Sequence, residues 1–210
     1  MFKLHTLAAL VSAALAPITT LADQPNWDFV EISYVSSEGS GFDDVEPDGY
    51  EIAGSFAPTD WAFLDLRYLD EDGSTNINLI GGSASLELTR ERFSAGGGVA
   101  FEIFEATDLY GRLAYEEWTL DATVKAGGES VSDDVNEEGY STGIGFRSVL
   151  LQALELRGEI SYFDVDNILD QEYGYVLGAY YTFGGHVTLG GSFQEIDDYE
   201  TYRATLRYQF

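Results

Sequence analysis

The chain has 210 residues, with 37 acidic side chains against 10 basic ones, a formal net charge of −27 and no cysteine. Such a balance excludes nucleic acid and bare phosphate surfaces as partners, and the missing cysteine excludes a disulfide scaffold or a lipid-modified N-terminal Cys. With 45% hydrophobic and 14% aromatic residues, the chain is too apolar to be a disordered polyanion.

The first element in chain order is MFKLHTLAALVSAALAPITTLA, residues 1–22. It has a positive start at Lys3, an apolar run from Leu7 to Leu15 and a finish in small residues. The run falls short of the roughly 20 apolar residues a spanning helix needs, so it is expected to be a secretory signal. Pro17 disfavours a cut after Ala16, which leaves Thr20-Leu21-Ala22 as the cleavage site and residues 23–210 as one barrel domain.

From Trp27 onward the chain alternates with a period of two, the signature of strands. One face of each segment is apolar. In order the faces begin with Val30, Ile32, Tyr34; then Tyr50, Ile52, Gly54, Phe56; then Ala62, Leu64, Leu66, Tyr68. Phe93 to Phe101, Leu109 to Tyr115, Tyr140 to Phe146, and Leu154 to Tyr162 follow at every second residue. Tyr173 to Phe183, Val187 to Phe193, and Tyr202 to Phe210 complete ten predicted strands. Short connections (APTD, EIFEATD, SVLLQA, GGH) alternate with acidic ones expected to be long loops, at 36–48, 70–85, 116–138, 164–172 and 195–200. This is the plan of an all-β, transmembrane, antiparallel up-and-down barrel with girdles of aromatic residues, short periplasmic turns and long extracellular loops.

A soluble sandwich or lipocalin-type barrel would turn its apolar face inward, so the location of the charges decides. Arg67, Arg92, Arg112, Arg147, Arg157, Arg203 and Arg207 all lie on the parity opposite to the apolar band, with Arg90 just above. The same parity holds Glu31, Glu51, Asp65, Glu116, Glu155 and Glu159. A face this balanced suits an enclosed lumen, where an unpaired charge is costly. Past the outer tyrosines the polarity inverts: Trp118, Leu120, Phe163, Val165 and Ile196 take the inner parity, while Glu117, Asp121, Asp164, Asp166, Glu195 and Asp197 take the outer. The strands are therefore expected to rise out of lipid into water with an apolar-inside wall.

With its signal segment, dyad repeat and C-terminal YRATLRYQF, the chain resembles the small outer-membrane barrel family typified by OmpA and OmpX. Best-known members have eight strands, which is the alternative to ten. The resemblance implies that Tyr202, Leu206, Tyr208 and Phe210 serve as a signal read by the barrel-assembly machinery. It also implies the outer membrane of a Gram-negative bacterium, with lipid and lipopolysaccharide as neighbours. A monomer is expected.

Ten-stranded barrels also resemble the omptin proteases, but the histidine such a site needs is missing outside: His5 leaves with the signal and His186 sits in a short periplasmic turn. The expectation is no enzyme and no resident cofactor. Asp70 and Asp72, and Asp164, Asp166 and Asp170, offer oxygens at alternate positions for weak Ca²⁺ or Mg²⁺ binding. The expected role is structural or surface-interacting, with the lumen closed by Arg–carboxylate pairs. The alternative is a narrow pore, transporter or sensor for small solutes or a hydrophobic ligand.

Overall fold

Apolar–polar alternation places a strand between two different environments, and ten such strands can satisfy every backbone group in lipid only by closing on themselves. They do so in the computed structural model, which describes residues 24–39, 45–79, 82–127 and 129–210. The strands are β1 (Phe29–Gly39), β2 (Asp48–Thr59), β3 (Ala62–Leu79), β4 (Gly82–Phe104) and β5 (Thr107–Ala126), then β6 (Glu129–Leu150), β7 (Leu154–Val165), β8 (Leu169–Phe183), β9 (Val187–Ile196) and β10 (Tyr199–Gln209). Each pairs antiparallel with its sequence neighbours, and β1 closes the barrel against β10 from Phe29↔Gln209 to Gly39↔Tyr199. The count is ten, not eight. Residues 1–22, expected to be the signal, lie outside the described residues.

The outer surface is apolar. Val30, Ile52, Leu66, Leu113, Ile144 and Leu206 are all exposed, Ile144 by 67%, whereas the intervening polar residues are buried. Water would make this wall unstable and hydrocarbon makes it the preferred surface, so the exposed band is the lipid-facing band. Its upper limit is an aromatic belt. The register sets Tyr34 opposite Tyr50, Tyr68 opposite Phe93, Tyr115 opposite Tyr140, Tyr162 opposite Tyr173, and Phe193 opposite Tyr202. Each of the five outer hairpins thus carries one aromatic pair. Tyrosine suits that level, with its ring in the interface and its hydroxyl in water.

Above the belt the structure corrects one expectation. Segments 70–85 and 116–138 are not loops: β3 and β4 stay paired up to Leu79↔Gly82, and β5 and β6 up to Ala126↔Glu129. Segments 164–172 and 195–200 are likewise mostly strand, around turns at 166–168 and 197–198. Apart from Glu71 and Glu116, which are buried on the inner side, the acidic residues described there sit on exposed or half-exposed strand faces. The reversed alternation past the tyrosines gives an inner apolar side that is buried low in the wall, at Trp118, Phe163, Val165 and Ile196, while Val124 and Val131 higher up on β5 and β6 are exposed. The wall is uneven in height. β2 accompanies β3 only to Asp48↔Asp72, and β7 meets β6 only from Gly139↔Val165. The four strands β3–β6 therefore stand above the rest as a fin.

Inside, glycines make room for rings lying against the wall. A Cβ at Gly98 would fall 2.6 Å from the ring of Phe63, and one at Gly145 would fall 2.5 Å from the Tyr110 hydroxyl. Those two rings, with Ala100 and the half-buried Trp27, form the apolar cluster at the periplasmic end.

Candidate functional site

The lumen is filled by ion pairs in tiers, because arginines of neighbouring strands reach carboxylates of the same parity. At the periplasmic end Arg147 donates to Glu155 at 3.0 and 2.7 Å, Arg207 reaches Glu155 at 3.2 Å, and Arg207 Nε donates to Glu31 at 2.8 Å. Flat rings cover these guanidiniums: Arg147 lies 4.4 Å from the Trp27 ring, and Arg207 lies 4.2 Å from Phe29 and 4.5 Å from Tyr180. In the middle tier Glu51 is shared by Arg67 at 2.5 Å and Arg203 at 3.1 Å. Glu159 is shared by Arg157 at 3.0 Å and Arg112 at 3.7 Å, and Arg112 also meets Asp65 at 2.8 Å. The hydroxyls of Tyr110 and Ser161 each donate to Glu159 at 2.6 Å. In the upper tier Arg92 Nε donates to Glu116 at 2.9 Å, and Ser94 and Ser141 donate to the same carboxylate.

All thirteen lumen residues read from the parity are thus brought together on the inner wall, each in an ion pair. The structure adds a fourteenth and a fifteenth. Arg90 pairs with Glu71, which also accepts from Ser37 at 2.7 Å. Glu71 falls in a segment whose composition reads as a loop, although its parity continues that of Asp65, Arg67 and Leu69. With this pair every arginine of the chain meets a carboxylate. Two internal cavities of about 30 Å³ each remain among the lower and middle tiers, lined by residues such as Arg67, Arg112 and Arg157. That is room for a water or two.

Sequence reasoning also missed the plug below. The chain before β1 crosses the periplasmic mouth, where Trp27 stacks 4.2 Å from Phe63 and donates to Asp108 at 2.8 Å. The backbone carbonyl of Asn26 accepts from Arg147 at 2.9 Å. A lone Trp ahead of the first strand carries no periodic signal, so only the folded arrangement reveals this use.

Above the ion pairs the lumen opens into a vestibule of about 530 Å³. Its walls include Trp118, Leu169 and Ile196, which belong to a buried cluster with Phe163 and Val165, and its floor includes Arg90, Arg92 and Arg203. Arg92 lies over Trp118 at 4.8 Å and Arg90 over Tyr199 at 4.3 Å.

The carboxylates read as Ca²⁺ or Mg²⁺ ligands do not converge in this way. Asp70 and Asp72 are exposed on β3, with Glu71 between them pointing into the lumen. Asp164 accepts from the Tyr140 hydroxyl at 2.9 Å, Asp166 lies exposed in the turn after β7, and the side chain of Asp170 lies outside the described residues. Among the described residues no group of three or more Asp, Glu, His or Cys side chains could hold a metal ion. His186, the one histidine among the described residues, has its Nδ1 3.1 Å from the Gln209 carbonyl at the periplasmic turn. In β10, Tyr202, Leu206 and Tyr208 face outward, as does Phe210 just after it, while Arg203 and Arg207 face in.

A closed antiparallel barrel that is apolar outside and ionic inside is a transmembrane barrel of the outer-membrane type. The family model for the outer membrane protein beta-barrel domain matches residues 6–172, and the chain belongs to that family. It is an outer-membrane protein. Among solved structures it is similar to the translocator domain of the autotransporter NalP from Neisseria meningitidis, at 11% identity and a TM-score of 0.54, covering 99% of this chain and 94% of that one. It is also similar to the NanC porin, at 8% identity and a TM-score of 0.52, covering 86% and 100%. A third is the outer membrane protein OprG from Pseudomonas aeruginosa, at 11% identity and a TM-score of 0.50, covering 91% and 99%. At such identities the likeness is one of fold. No curated protein matches the sequence.

Proposed function

We propose that this protein is a non-enzymatic, monomeric barrel whose lumen is closed and whose acidic upper wall is its interacting surface. The observation that carries the reading is the tiered set of ion pairs, in which all eight arginines are matched and stacked across the bore. An ion entering would have to displace a guanidinium from its carboxylate, and the freed charge would be left in a space with little water to solvate it. Ten strands give a bore only slightly wider than one that side chains fill. Trp27 adds an apolar stop below.

Refolded protein in planar bilayers tests the closure. Wild type should give no stable single-channel steps, whereas Arg112→Ala, which strips Asp65 of its partner and opens space in the middle tier, should raise conductance. Regular steps from wild type would replace this reading with the narrow pore.

A further inference from the structure

β6 rises above the membrane with one side bare. Its pairing with β7 begins at Gly139↔Val165, so residues 130–138 pair with β5 alone among the described strands. The direction of their backbone groups follows from one bond: the Val149 N–H donates to the Ala106 carbonyl, on the β5 side, at 2.9 Å. From Thr107↔Ser148 up to Ala126↔Glu129 the register then runs without a shift. In an antiparallel ladder both backbone groups of a residue point to the same neighbour, and alternate residues point to opposite ones. Odd-numbered residues of β6 therefore bond to β5, and even-numbered ones turn away from it. Lower in the wall, Tyr140 and Thr142 meet β7. Above, Ser130, Ser132, Asp134, Asn136 and Glu138 present N–H and C=O groups with no described strand beside them. Residues 129–136 are exposed on both faces as well, Val131 by 72%. An edge of this kind is a ready template for a further strand.

The opposite edge of the fin is not open in the same way. At Gly73 of β3 a Cβ would fall 2.8 Å from Val45 and 3.0 Å from Pro47, so that edge is overlaid. On β6 the charges say what fits. Residues 130–138 carry Asp134 and Glu138 on the outer face, Asp133 and Glu137 on the inner, and no basic side chain. Two copies of this edge would set like charges against each other, which destabilises a cross-strand pair, whereas opposite charges across a pair stabilise it. We infer that residues 130–138 of β6 take an extended, basic segment of another polypeptide as an added antiparallel strand, its lysines or arginines set opposite Asp134 and Glu138. Strand addition of this type draws affinity from main-chain bonds and specificity from alternate side chains. The inference rests on the acidic upper wall being the interacting surface, and it names the partner of that wall.

The test uses the protein refolded into phosphatidylcholine nanodiscs, with empty nanodiscs as the baseline. The probe is a capped, fluorescent nine-residue peptide of alternating lysine and valine, long enough to lie along residues 130–138. With its lysines opposite the even-numbered residues, the lysine N–H groups make the bonds to β6 and the valine N–H groups point to water. The peptide should bind saturably. Methylation of its lysine backbone nitrogens should weaken it at least ~10-fold, whereas methylation of its valine nitrogens should not. Asn136→Pro removes one N–H from the open edge of β6 and leaves the bonds to β5 intact. It should weaken the peptide by a similar factor while the protein still shifts in mobility on boiling, and Asn136→Ser should bind like wild type. A glutamate–valine peptide should not bind. Equal binding of the two methylated peptides, wild-type affinity in Asn136→Pro, or tight binding of the glutamate peptide would each overturn the proposal. If the lysine peptide binds whichever nitrogens are methylated, the acidic wall still interacts through charge and only the strand addition falls. If it does not bind at all, the wall's role as interacting surface falls with it.

Discussion

Glu159 shows how much one residue can hold in this lumen. It receives Arg157, Arg112, Tyr110 and Ser161, and its neighbours have no water-rich surface to turn to. A buried ion pair adds little net stability, because its attraction is set against the cost of desolvating both charges. Removing one partner is different, since it leaves the other charge buried and alone. Glu159→Ala is therefore expected to destabilise the barrel by ~3–5 kcal/mol. The control is Glu87→Ala, which breaks the Lys125–Glu87 pair at 2.5 Å, where both side chains are about half exposed. That pair should be worth less than ~1 kcal/mol. Urea unfolding of both variants in lipid vesicles measures the difference, and equal midpoints would show that the lumen pairs are not holding the barrel. Glu159, like Arg157 and Arg112, was legible in the sequence because parity alone sorts it to the inner face. Trp118 was legible as an inner apolar residue, but that its indole N–H meets no acceptor among the described residues was not, because hydrogen bonding depends on where β4, β7 and β10 bring their side chains.

Among the elements, β10 joins the two surfaces most plainly. Arg203 and Arg207 of this strand enter the ion-pair tiers, while Tyr202, Leu206, Tyr208 and the 60%-exposed Phe210 face lipid. Eleven register pairs then close it on β1. If the outward residues are a recognition signal for assembly, Phe210 matters to a factor in the cell more than to the folded wall. Phe210→Ala should refold into detergent in nearly wild-type yield, seen as the unboiled band on a gel, yet reach the outer membrane in markedly lower amount. Equal cellular levels would remove the signal role, and failure in detergent would make Phe210 a structural residue instead. The strands within lipid were readable because hydrocarbon demands strict alternation. Their upper parts were harder. DEDGS in β3 and SVSDDVNEE in β6 are rich in residues disfavoured in strands, and composition pointed to loops. Reversed alternation was the truer signal, since it marks a sheet passing from lipid into water. Local pairing was beyond it: the one-residue shift between Phe163 and Val165 sets Tyr162 opposite Tyr173, not Glu172, and only the β8 partner fixes that.

At the scale of the whole molecule, the lumen decides what the exterior can be. All eight arginines are paired inside, and beyond residue 23 the one other Lys or Arg is Lys125, itself paired with Glu87. Most of the described carboxylates outside the lumen lie on surfaces facing water, above all on the fin and the rim. Lipopolysaccharide, the neighbour expected of such a barrel, is itself anionic, and the exposed wall has no arginine fork with which to clamp its phosphates. Two negative surfaces repel over about a Debye length, which is ~8 Å at physiological salt. Divalent cations bound between carboxylate and phosphate would turn that repulsion into contact, as oxygen-rich surfaces favour Ca²⁺ and Mg²⁺. Protein in phosphatidylcholine nanodiscs should then co-sediment with lipopolysaccharide in millimolar Mg²⁺ and release it at least ~10-fold on chelation, whereas monovalent salt at matched ionic strength should not restore binding. Binding that survives chelation would mean that the lipid is held by the apolar band alone, with the acidic wall standing clear of it. In either outcome the cause lies in the bore: with every arginine paired inside, none is left to hold the neighbours.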